Sequence, residues 1–417
     1  MREMKDTGIV WCPSIPSDWK LCRVKDCFTI SKIKAGVKNP VVLKLARSGI
    51  EVKDVTVNEG QMAESYDDYN PVMIGDLLLN PMDLYSGANC NVSEVEGVIS
   101  PAYVNLRAKQ KINPYFFDYY FKVQYWAMAM FAHGKGVSYD NRWTINAEGV
   151  KNYEIPLPEL STQNIIVNII RKKCSQIDAL IANAEQQIAK LKAYKQSVIT
   201  ETVTKGLNPD VPMKDSGIEW IGEIPEYWGI IRVKQLLCER KERSINGEEE
   251  PLSMSQKLGL VPTKMLDIIP NMASSFVGAK LTYINDLVFN KLKAHLGVFS
   301  VSKYNGLVSP DYAVYYTTGL ANLKYLEYLF KTPQCISEFR KRSTGIAAGL
   351  TRLYTDGLFA IETPYPPLKE QQQIADFLDT KCAKIDHLIT LKQQKIEKLR
   401  QYKKSIIYEY VTGKKEV

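Results

Sequence analysis

The sequence predicts an α+β chain in which two similar, mainly antiparallel α/β domains are separated by an antiparallel pair of long coiled-coil helices. Two observations predict this fold. From about residue 161, apolar residues recur at alternating steps of three and four, which is the heptad seam of a coiled coil. The seam returns 208 residues later, and the segments before each helix also match. The chain is therefore an internal duplication of one unit of roughly half its length, with pseudo-twofold character.

The composition is that of an ordinary globular protein with two or three domains. The formal charge of +8 over 417 residues permits a nucleic-acid partner without requiring one. The eight cysteines are scattered and form no C-x-x-C pair, so neither a zinc site nor a redox dithiol is predicted. Because no apolar signal segment and no apolar run of membrane-spanning length is present, we expect a cytoplasmic protein with no membrane partner.

Each copy begins with a short segment rich in proline and tryptophan. Residues 4–25 return at 213–234 with a shift of 209 and no gap, so that Trp19 matches Trp228. Prolines and paired tryptophans predict an extended segment strapped against its domain rather than a helix, with the tryptophans packed inside.

The part that follows predicts the first α/β domain. Short apolar runs that predict strands lie at 41–46, 75–80 and 97–101. An aromatic stretch opened by Asn113 and Pro114 predicts helices that extend to about residue 132. The second half of the chain repeats this plan. No alternating strand–helix–strand rhythm is present, so the sheets are predicted to be mainly antiparallel.

These patterns predict six segments: 1–19 (N-terminal segment), 20–158 (first domain), 159–204 (central helix), 205–228 (linker and repeated segment), 229–366 (second domain) and 367–417 (C-terminal helix). Lys195 and Lys403 interrupt the seam at matching positions, and we expect them to fix the register and orientation of the helix pair. The predicted seam of the helix pair includes Ile170, Ile177, Ile181, Ile188, Leu191, Leu378, Ile385, Ile389, Ile396 and Leu399.

The spacing of the repeats also predicts where the chain ends lie. Early matches are 209 residues apart and late ones 208, and the two shifts together equal the 417 residues of the chain. The step from Val203 to Met213 would recur from Val411 to Met4 if the two ends were joined. The sequence therefore predicts a closed arrangement of two units whose termini are neighbours.

Motifs distributed over essentially the whole chain resemble the specificity subunits of type I restriction–modification systems. These motifs are Ser216-Gly-Ile-Glu-Trp-Ile-Gly-Glu-Ile-Pro225 with its copy near the N-terminus, Leu252-Ser-Met-Ser-Gln-Lys257, Val98-Ile-Ser-Pro-Ala-Tyr103, Pro366-Pro-Leu-Lys-Glu-Gln-Gln372 and Val203-Thr-Lys-Gly206. Two stretches depart from the family pattern. Residues 158–163 lack the Glu-Gln pair found at 370–371, and glycine and lysine are exchanged at 413–414.

The resemblance implies two target recognition domains, each of which reads one half of a bipartite, asymmetric site in double-stranded DNA. It implies that the helices act as a ruler across unread base pairs and as a platform for two methyltransferase subunits. Restriction–translocase subunits would join the full complex. The resemblance implies no cofactor, no metal and no catalytic residue in this chain.

The residues themselves agree with a subunit that performs no chemistry. Asn80-Pro-Met-Asp83 lacks the second proline and the aromatic residue of the amino-methyltransferase motif. Gly134-Lys-Gly136 has no preceding strand that would make a cofactor-binding turn. The histidines His133, His295 and His387 are isolated from one another in sequence. An enzymatic activity of this chain alone is therefore not predicted.

Base edges are read by side-chain donors and acceptors, whereas phosphate contacts only position the protein. We therefore expect base readers where the frame of the two copies repeats but the side chains differ. Three pairs of segments meet this condition: 81–86 and 291–296, 135–141 and 345–351, and 46–48 and 255–257. The candidate DNA-binding residues are Arg47, Ser48, Met82, Tyr85, Lys135, Ser138, Tyr139, Asn141, Arg142, Gln256, Lys257, Lys291, Lys293, His295, Thr351 and Arg352. Arg142 and Arg352 each follow the second segment, so we assign them as a shared phosphate or loop anchor.

Divergent loops are also expected on an unconstrained surface, which leaves a second interpretation open. The chain would then be a coiled-coil assembly scaffold of a methylation-only complex, with little intrinsic DNA specificity. The sequence does not distinguish a methylation-only system from one with a restriction subunit, because the nuclease is a different chain.

Overall fold

The computed structural model describes residues 3–31, 36, 40–46, 48–56, 65–82, 84, 89–136, 143–256, 258–268, 275–345 and 351–417. The chain divides into two compact units. The first contains residues 1–184 and 393–417, and the second contains residues 185–392. Each unit therefore combines one α/β domain with the beginning of one long helix and the end of another.

In the first unit the described strands are β1 (Met4–Asp6), β2 (Ser14–Pro16), β3 (Lys20–Arg23), β4 (Phe28–Ser31), β5 (Leu43–Ala46), β6 (Gly49–Val52), β7 (Asn70–Val72), β8 (Leu77–Leu79), β9 (Cys90–Val92), β10 (Gly97–Ile99), β11 (Val104–Ala108) and β12 (Glu154–Leu157). The described helices are α1 (Val24–Cys27), α2 (Pro114–Trp126), a 3-10 helix (Met130–His133), α3 (Ala147–Asn152) and α4 (Leu160–Lys205), whose first part belongs to this unit.

In the second unit the described strands are β13 (Met213–Asp215), β14 (Glu223–Pro225), β15 (Gly229–Arg232), β16 (Leu237–Glu239), β17 (Leu252–Ser255), β18 (Gly259–Pro262), β19 (Lys280–Thr282), β20 (Leu287–Asn290), β21 (Phe299–Val301), β22 (Gly306–Val308), β23 (Tyr312–Thr317) and β24 (Glu362–Tyr365). The described helices are α5 (Val233–Leu236), 3-10 helices at Thr263–Met265 and Ala294–Leu296, α6 (Leu323–Phe330), α7 (Pro333–Arg342), α8 (Thr355–Phe359) and α9 (Leu368–Val411), whose first part belongs to this unit.

The two units share one topology. Each has a four-stranded antiparallel sheet, in the order β4-β11-β8-β9 or β16-β23-β20-β21. Each also has a hairpin, β5–β6 or β17–β18, and a strand pair that joins the two ends of the domain, β3–β12 or β15–β24. The predicted α+β fold with its internal duplication is confirmed.

Strands β8 and β20 lie inside the four-stranded sheets of the first and second unit. Successive side chains of a strand point to opposite faces of the sheet, so each of these strands contributes to two cores. In the first unit Leu77 and Leu79 join the large core that includes α2, whereas Leu78 packs in a small core with the hairpin. In the second unit the side chain of Val288 likewise belongs to a small core with the hairpin residues Leu252 and Leu260. The hairpin is therefore held against the sheet face that the helices leave free.

The segment before each domain is extended, as predicted, and its tryptophan is packed inside. Trp19 and Trp228 are each 1% exposed. The end of the chain packs on this segment in the first unit, since a Cβ atom on Gly413 would lie within 3.1 Å of both Pro16 and Trp19. Gly206 meets Trp228 in the same way in the second unit. Both glycines adopt a positive φ at a helix end, where a larger residue would be strained.

The long helices run antiparallel within each unit, and the seam lysines pair with aspartates across them. In the first unit the Lys403 Nζ atom lies 2.7 and 2.8 Å from the Asp178 carboxylate oxygens. In the second unit the Lys195 Nζ atom lies 2.7 and 2.6 Å from those of Asp386. All four side chains are partly exposed, so these pairs contribute little stability, but they favour one register of the helices.

The predicted seam residues lie on the inward side of these helices. Seven are buried: Ile170, Ile177, Ile188, Leu378, Ile385, Ile389 and Ile396. The other three, Ile181, Leu191 and Leu399, are half-buried. No described helix is both long enough and apolar enough to span a membrane.

A buried glutamine in the first turn of α4 joins this helix to the domain that precedes it. The Gln163 Oε1 atom accepts a hydrogen bond from the Asn113 backbone N–H at 2.8 Å. Its Nε2 atom donates to the Pro158 carbonyl at 2.8 Å. Asn113 also caps α2, because its side chain accepts a hydrogen bond from the Tyr115 N–H. One side chain therefore connects α4, α2 and the end of β12.

Gln371 makes the same connection in the second unit. Its Oε1 atom accepts from the Asn322 N–H at 2.8 Å, and its Nε2 atom donates to the Pro366 carbonyl at 2.9 Å. Gln163 and Gln371 are 0% and 1% exposed, so removal of either amide would leave buried backbone groups without a partner.

We predict that Gln371→Ala lowers the free energy of unfolding by about 1–3 kcal/mol, the typical cost of buried hydrogen-bonding groups left unpaired. Urea denaturation of the purified protein measures this change. Gln373→Ala, at an exposed position two residues further along α9, is the control and should stay within about 0.5 kcal/mol of the unchanged protein. Equal effects of the two substitutions would contradict the role of Gln371.

Candidate nucleic-acid interface

In the first unit, the first and second candidate segments are joined by backbone hydrogen bonds at one edge of the sheet. The Ile145 N–H donates to the Pro81 carbonyl at 3.0 Å, and the Leu84 N–H donates to the Trp143 carbonyl at 3.1 Å. The ends of the second segment are themselves paired, through an isolated bridge between Lys135 and Thr144.

The second unit repeats this frame. The Leu353 N–H donates to the Lys291 carbonyl at 3.0 Å, which joins the loop after β20 to the closing loop. An isolated bridge between Thr344 and Arg352 pairs the ends of the closing loop. The two loops are therefore held in the same relation in both units, although their side chains differ.

The third candidate segment is the tip of the hairpin in each unit. In the first unit Ala46 pairs with Gly49, which leaves a tip of two residues. In the second unit Ser255 pairs with Gly259, which leaves a tip of three. The Asn89 side-chain amide donates to the Ala46 carbonyl, so this tip adjoins the end of the first segment. The fold thus brings all three segments of the first unit to one edge.

Seven candidate residues lie outside the residues that the structure describes: Arg47, Tyr85, Ser138, Tyr139, Asn141, Arg142 and Lys257. Of the others, Ser48, Lys135, Gln256 and Lys293 are exposed, and Met82, Lys291, His295, Thr351 and Arg352 are half-buried. The described candidates are therefore at or close to the surface, where a duplex could be reached.

Two of these side chains have surroundings that bear on base reading. The Ser48 hydroxyl donates to the Glu51 carboxylate, and this bond, followed by the contact with Lys44, lowers the pKa of Glu51. His295 lies in the 3-10 helix Ala294–Leu296, and its Nδ1 atom is enclosed without a hydrogen-bond partner among the described residues. The enclosed nitrogen makes His295 a weaker candidate for a base contact than Lys291 or Lys293.

The assignment of Arg142 and Arg352 as one shared position is wrong. The bridges pair Lys135 with Thr144 and Thr344 with Arg352, so Arg352 takes the place of Thr144. The hydrogen bonds of Ile145 and Leu353 to the neighbouring loop give the same register. The two arginines were matched because each follows its loop, but the backbone pairing shows that they are two residues out of step. Arg352 therefore has no arginine counterpart in the first unit.

Buried aspartates that the sequence did not single out hold the turns before the central strands. Asp76 accepts two hydrogen bonds from Arg107, at 2.9 and 2.8 Å, and one from the Met73 N–H. Asp286 accepts two from Arg240, at 2.8 and 3.0 Å. The pKa of each arginine is raised, first by these hydrogen bonds. The aspartates match but the arginines come from β11 in one unit and from the end of β16 in the other.

A cleft of about 550 Å³ lies beside the joined loops in the first unit. Its walls include Asn70, Met82, Tyr103 and Thr144, together with Asp68. Of these, only Met82 is among the candidates predicted from the sequence. Asn70 was missed because its strand β7 shares no residue with the copy β19 that would align the two strands. The cleft is a recess of about the right size for a nucleotide group, framed by amides, hydroxyls, a thioether and the Asp68 carboxylate.

Comparison with known proteins agrees with this geometry. Residues 282–401 match the family model described as type I restriction modification DNA specificity domain. The chain is 24% identical to the type I restriction enzyme MjaVIII specificity subunit of Methanocaldococcus jannaschii, over 96% of this chain and 93% of that protein. It is 26% identical to the putative MjaX specificity subunit of the same organism, over 96% and 94%.

Solved structures show a similar fold. A chain from a structure that addresses complex assembly and conformational transition of the type I R-M system superposes with a TM-score of 0.71 at 16% identity, over 96% of this chain and 99% of that one. The crystal structure of the HsdS subunit from Thermoanaerobacter tengcongensis superposes with a TM-score of 0.54, also at 16% identity, over 96% and 98%.

Proposed function

Because the chain belongs to the specificity subunits of type I restriction–modification systems, we propose that it recognises a bipartite, asymmetric site in double-stranded DNA. The observation that carries the proposal is the repeated loop frame. Each unit presents the same joined loops, but the side chains differ. Pro81, Met82 and Thr144 in the first unit correspond to Lys291, Leu292 and Arg352 in the second. Equal frames with different side chains suit two different half-sites.

The chain itself performs no chemistry in this proposal, and it directs methyltransferase and restriction subunits to the DNA in the cytoplasm. The alternative of an assembly scaffold with little DNA specificity is not favoured by the similarity to specificity subunits along nearly the whole chain. Selection of duplexes from a random pool by the methyltransferase-bound protein, at physiological salt, tests the proposal. Two unlike half-sites at fixed spacing are expected, and a bound pool without any common sequence would contradict it.

We further propose that two methyltransferase subunits bind, one on each unit, at matched apolar positions on the long helices. Leu180 and Leu388 follow the seam aspartates by two residues and are 50% and 46% exposed. Tyr194 and Tyr402 directly precede the seam lysines and are 49% and 54% exposed. Large apolar side chains that recur at exposed, duplicated positions are typical of a surface that a partner covers twice.

One prediction of the proposed function concerns the helices as a ruler. Insertion of one heptad after Ile181 together with one after Ile389 preserves the seam and lengthens each helix by about 10 Å. We expect the unread spacer of the selected DNA site to grow by about three base pairs, since each base pair spans about 3.4 Å. Both half-sites should stay unchanged. Selection of the original spacer, or of a different half-site, would count against the ruler.

Another prediction of the proposed function concerns partner stoichiometry. Tyr194→Asp should remove one methyltransferase subunit from the complex, and Tyr194→Asp with Tyr402→Asp should remove both, because a carboxylate in an apolar contact is costly to bury. Native mass spectrometry of the reconstituted complex counts the subunits. Ile245→Asp, at a 90% exposed position of the second unit, is the control and should leave two subunits bound. Two bound subunits in the double variant would exclude these positions as the docking surface.

A further inference from the structure

The second unit carries a group of cations at the position of the first unit's cleft. Lys280, on β19, is 9% exposed, and its Nζ atom donates to the Tyr312 carbonyl at 2.7 Å. The same Nζ atom lies 3.8 Å from the Glu239 carboxylate. Arg243 pairs with Lys280 through an isolated backbone bridge. The base of this group is therefore an enclosed lysine with one arginine beside it.

Two further cations complete the group. Lys291 is held at its rim by the hydrogen bond between its carbonyl and the Leu353 N–H. Arg352, the residue before Leu353, places its Nη2 atom 3.4 Å from the Asp311 carboxylate. Asp311 directly precedes Tyr312, whose carbonyl accepts the hydrogen bond from Lys280. Arg352 and Lys280 therefore contact neighbouring residues of the same segment. We call Arg243, Lys280, Lys291 and Arg352 the basic cleft.

The four cations of the basic cleft outnumber the two carboxylates, Glu239 and Asp311, that contact them. The pKa of Lys280 is lowered, first by burial and then by the charge of Lys291, with Arg243 adding to it. Like charges held together in a partly enclosed space repel one another, and an anion that enters relieves this repulsion.

The matching positions of the first unit are uncharged where the structure describes them. The strand register and the loop pairing show that Asn70 corresponds to Lys280, Pro81 to Lys291 and Thr144 to Arg352. The carboxylates are also replaced, since Ile30 stands for Glu239 and Ala102 for Asp311. The position that matches Arg243 lies outside the described residues. The same frame therefore holds a cationic site in one unit and, at the matching described positions of the other, a cleft without cations.

We propose that the basic cleft of the second unit seats one backbone phosphate of the bound DNA, through Lys291 and Arg352 at its rim, and that the matching cleft of the first unit holds none. The proposal rests on the proposed function, because the phosphate belongs to the half-site that the second unit contacts. Lysine is a compact point charge and arginine offers a donor fork, and both suit phosphate oxygens. The first half-site is then held by uncharged contacts at this position.

Another groove of the second unit is less suited to a phosphate, although lysines also line it. This groove includes Lys195, Lys324 and Lys331. Lys195 pairs with Asp386 at 2.6 Å, and both Lys324 and Lys331 pair with Glu327, at 3.0 and 2.5 Å. With Lys303 the groove has four lysines, three of which pair with carboxylates that also line it, whereas the four cations of the basic cleft contact two carboxylates.

The salt dependence of DNA binding tests the proposal. The affinity of the methyltransferase-bound protein for its selected duplex falls with salt, with a slope of about −0.9 in log–log form for each phosphate neutralised. We expect Lys291→Met with Arg352→Met to flatten this slope by about one unit, and each single substitution by no more than that, because both side chains act on one phosphate. The preferred half-sites should not change.

Two controls separate the possible outcomes. Lys264→Met removes one positive charge from an exposed ion pair with Glu250 in the same unit and should leave the slope unchanged. Lys291→Arg with Arg352→Lys keeps the charges and should retain the slope, which shows that the cleft tolerates substitution.

A slope in the double variant equal to that of the unchanged protein would overturn the proposal. A loss of about two units would also overturn it, since it indicates two separate phosphates. An unchanged slope with an altered base preference would reassign Lys291 and Arg352 to base reading. These outcomes differ from failure of the proposed function itself, in which the unchanged protein would select no common DNA sequence.

Discussion

The position of each recognition domain on its long helix depends on one enclosed amide. Gln163 and Gln371 each satisfy a backbone N–H at the start of a domain helix and a backbone carbonyl just before the long helix. Both interactions lie away from water, where an unmade hydrogen bond costs most. The orientation of the domain, and with it the direction in which the loops point, follows from this connection. Asp76 and Asp286 then fix the turns before the strands that carry those loops.

Within this shared frame the two units differ mainly in charge. The edge of the first unit offers amide, hydroxyl and thioether groups, whereas that of the second offers lysine and arginine. The side chains of the two edges can differ in this way because the backbone hydrogen bonds that join the loops do not involve them. The hairpin tips, which differ in length by one residue, extend the same principle.

Much of the fold could be predicted because it depends on periodic and repeated patterns in the sequence. The seam predicted a helix over 161–203, and α4 runs from Leu160 to Lys205. The matched glycines and prolines predicted the duplication and the extended first segment. The aromatic run after Asn113 gave α2 and a 3-10 helix, as expected of a capped apolar stretch.

The candidate site was less predictable because backbone pairing between strands and loops distant in sequence brings its residues together. Asn70 and Lys280 lie on strands that share no residue identity that would align them. Arg142 and Arg352 look equivalent in the sequence, but only the bridges reveal the register. Such contacts depend on strand pairing, which local patterns do not specify.

The strand pairs β3–β12 and β15–β24 have a consequence for how such a protein can change over generations. Each brings the first and last strands of a recognition domain side by side, with Arg23 opposite Glu154 in one unit and Arg232 opposite Glu362 in the other. The domain is thus inserted into its surroundings through two adjacent strands. A recombination event that exchanged the coding segment between them would deliver a different domain to the same attachment point, and the helices would need no adjustment. A different domain could therefore be acquired while the two attachment strands and the helices stay the same.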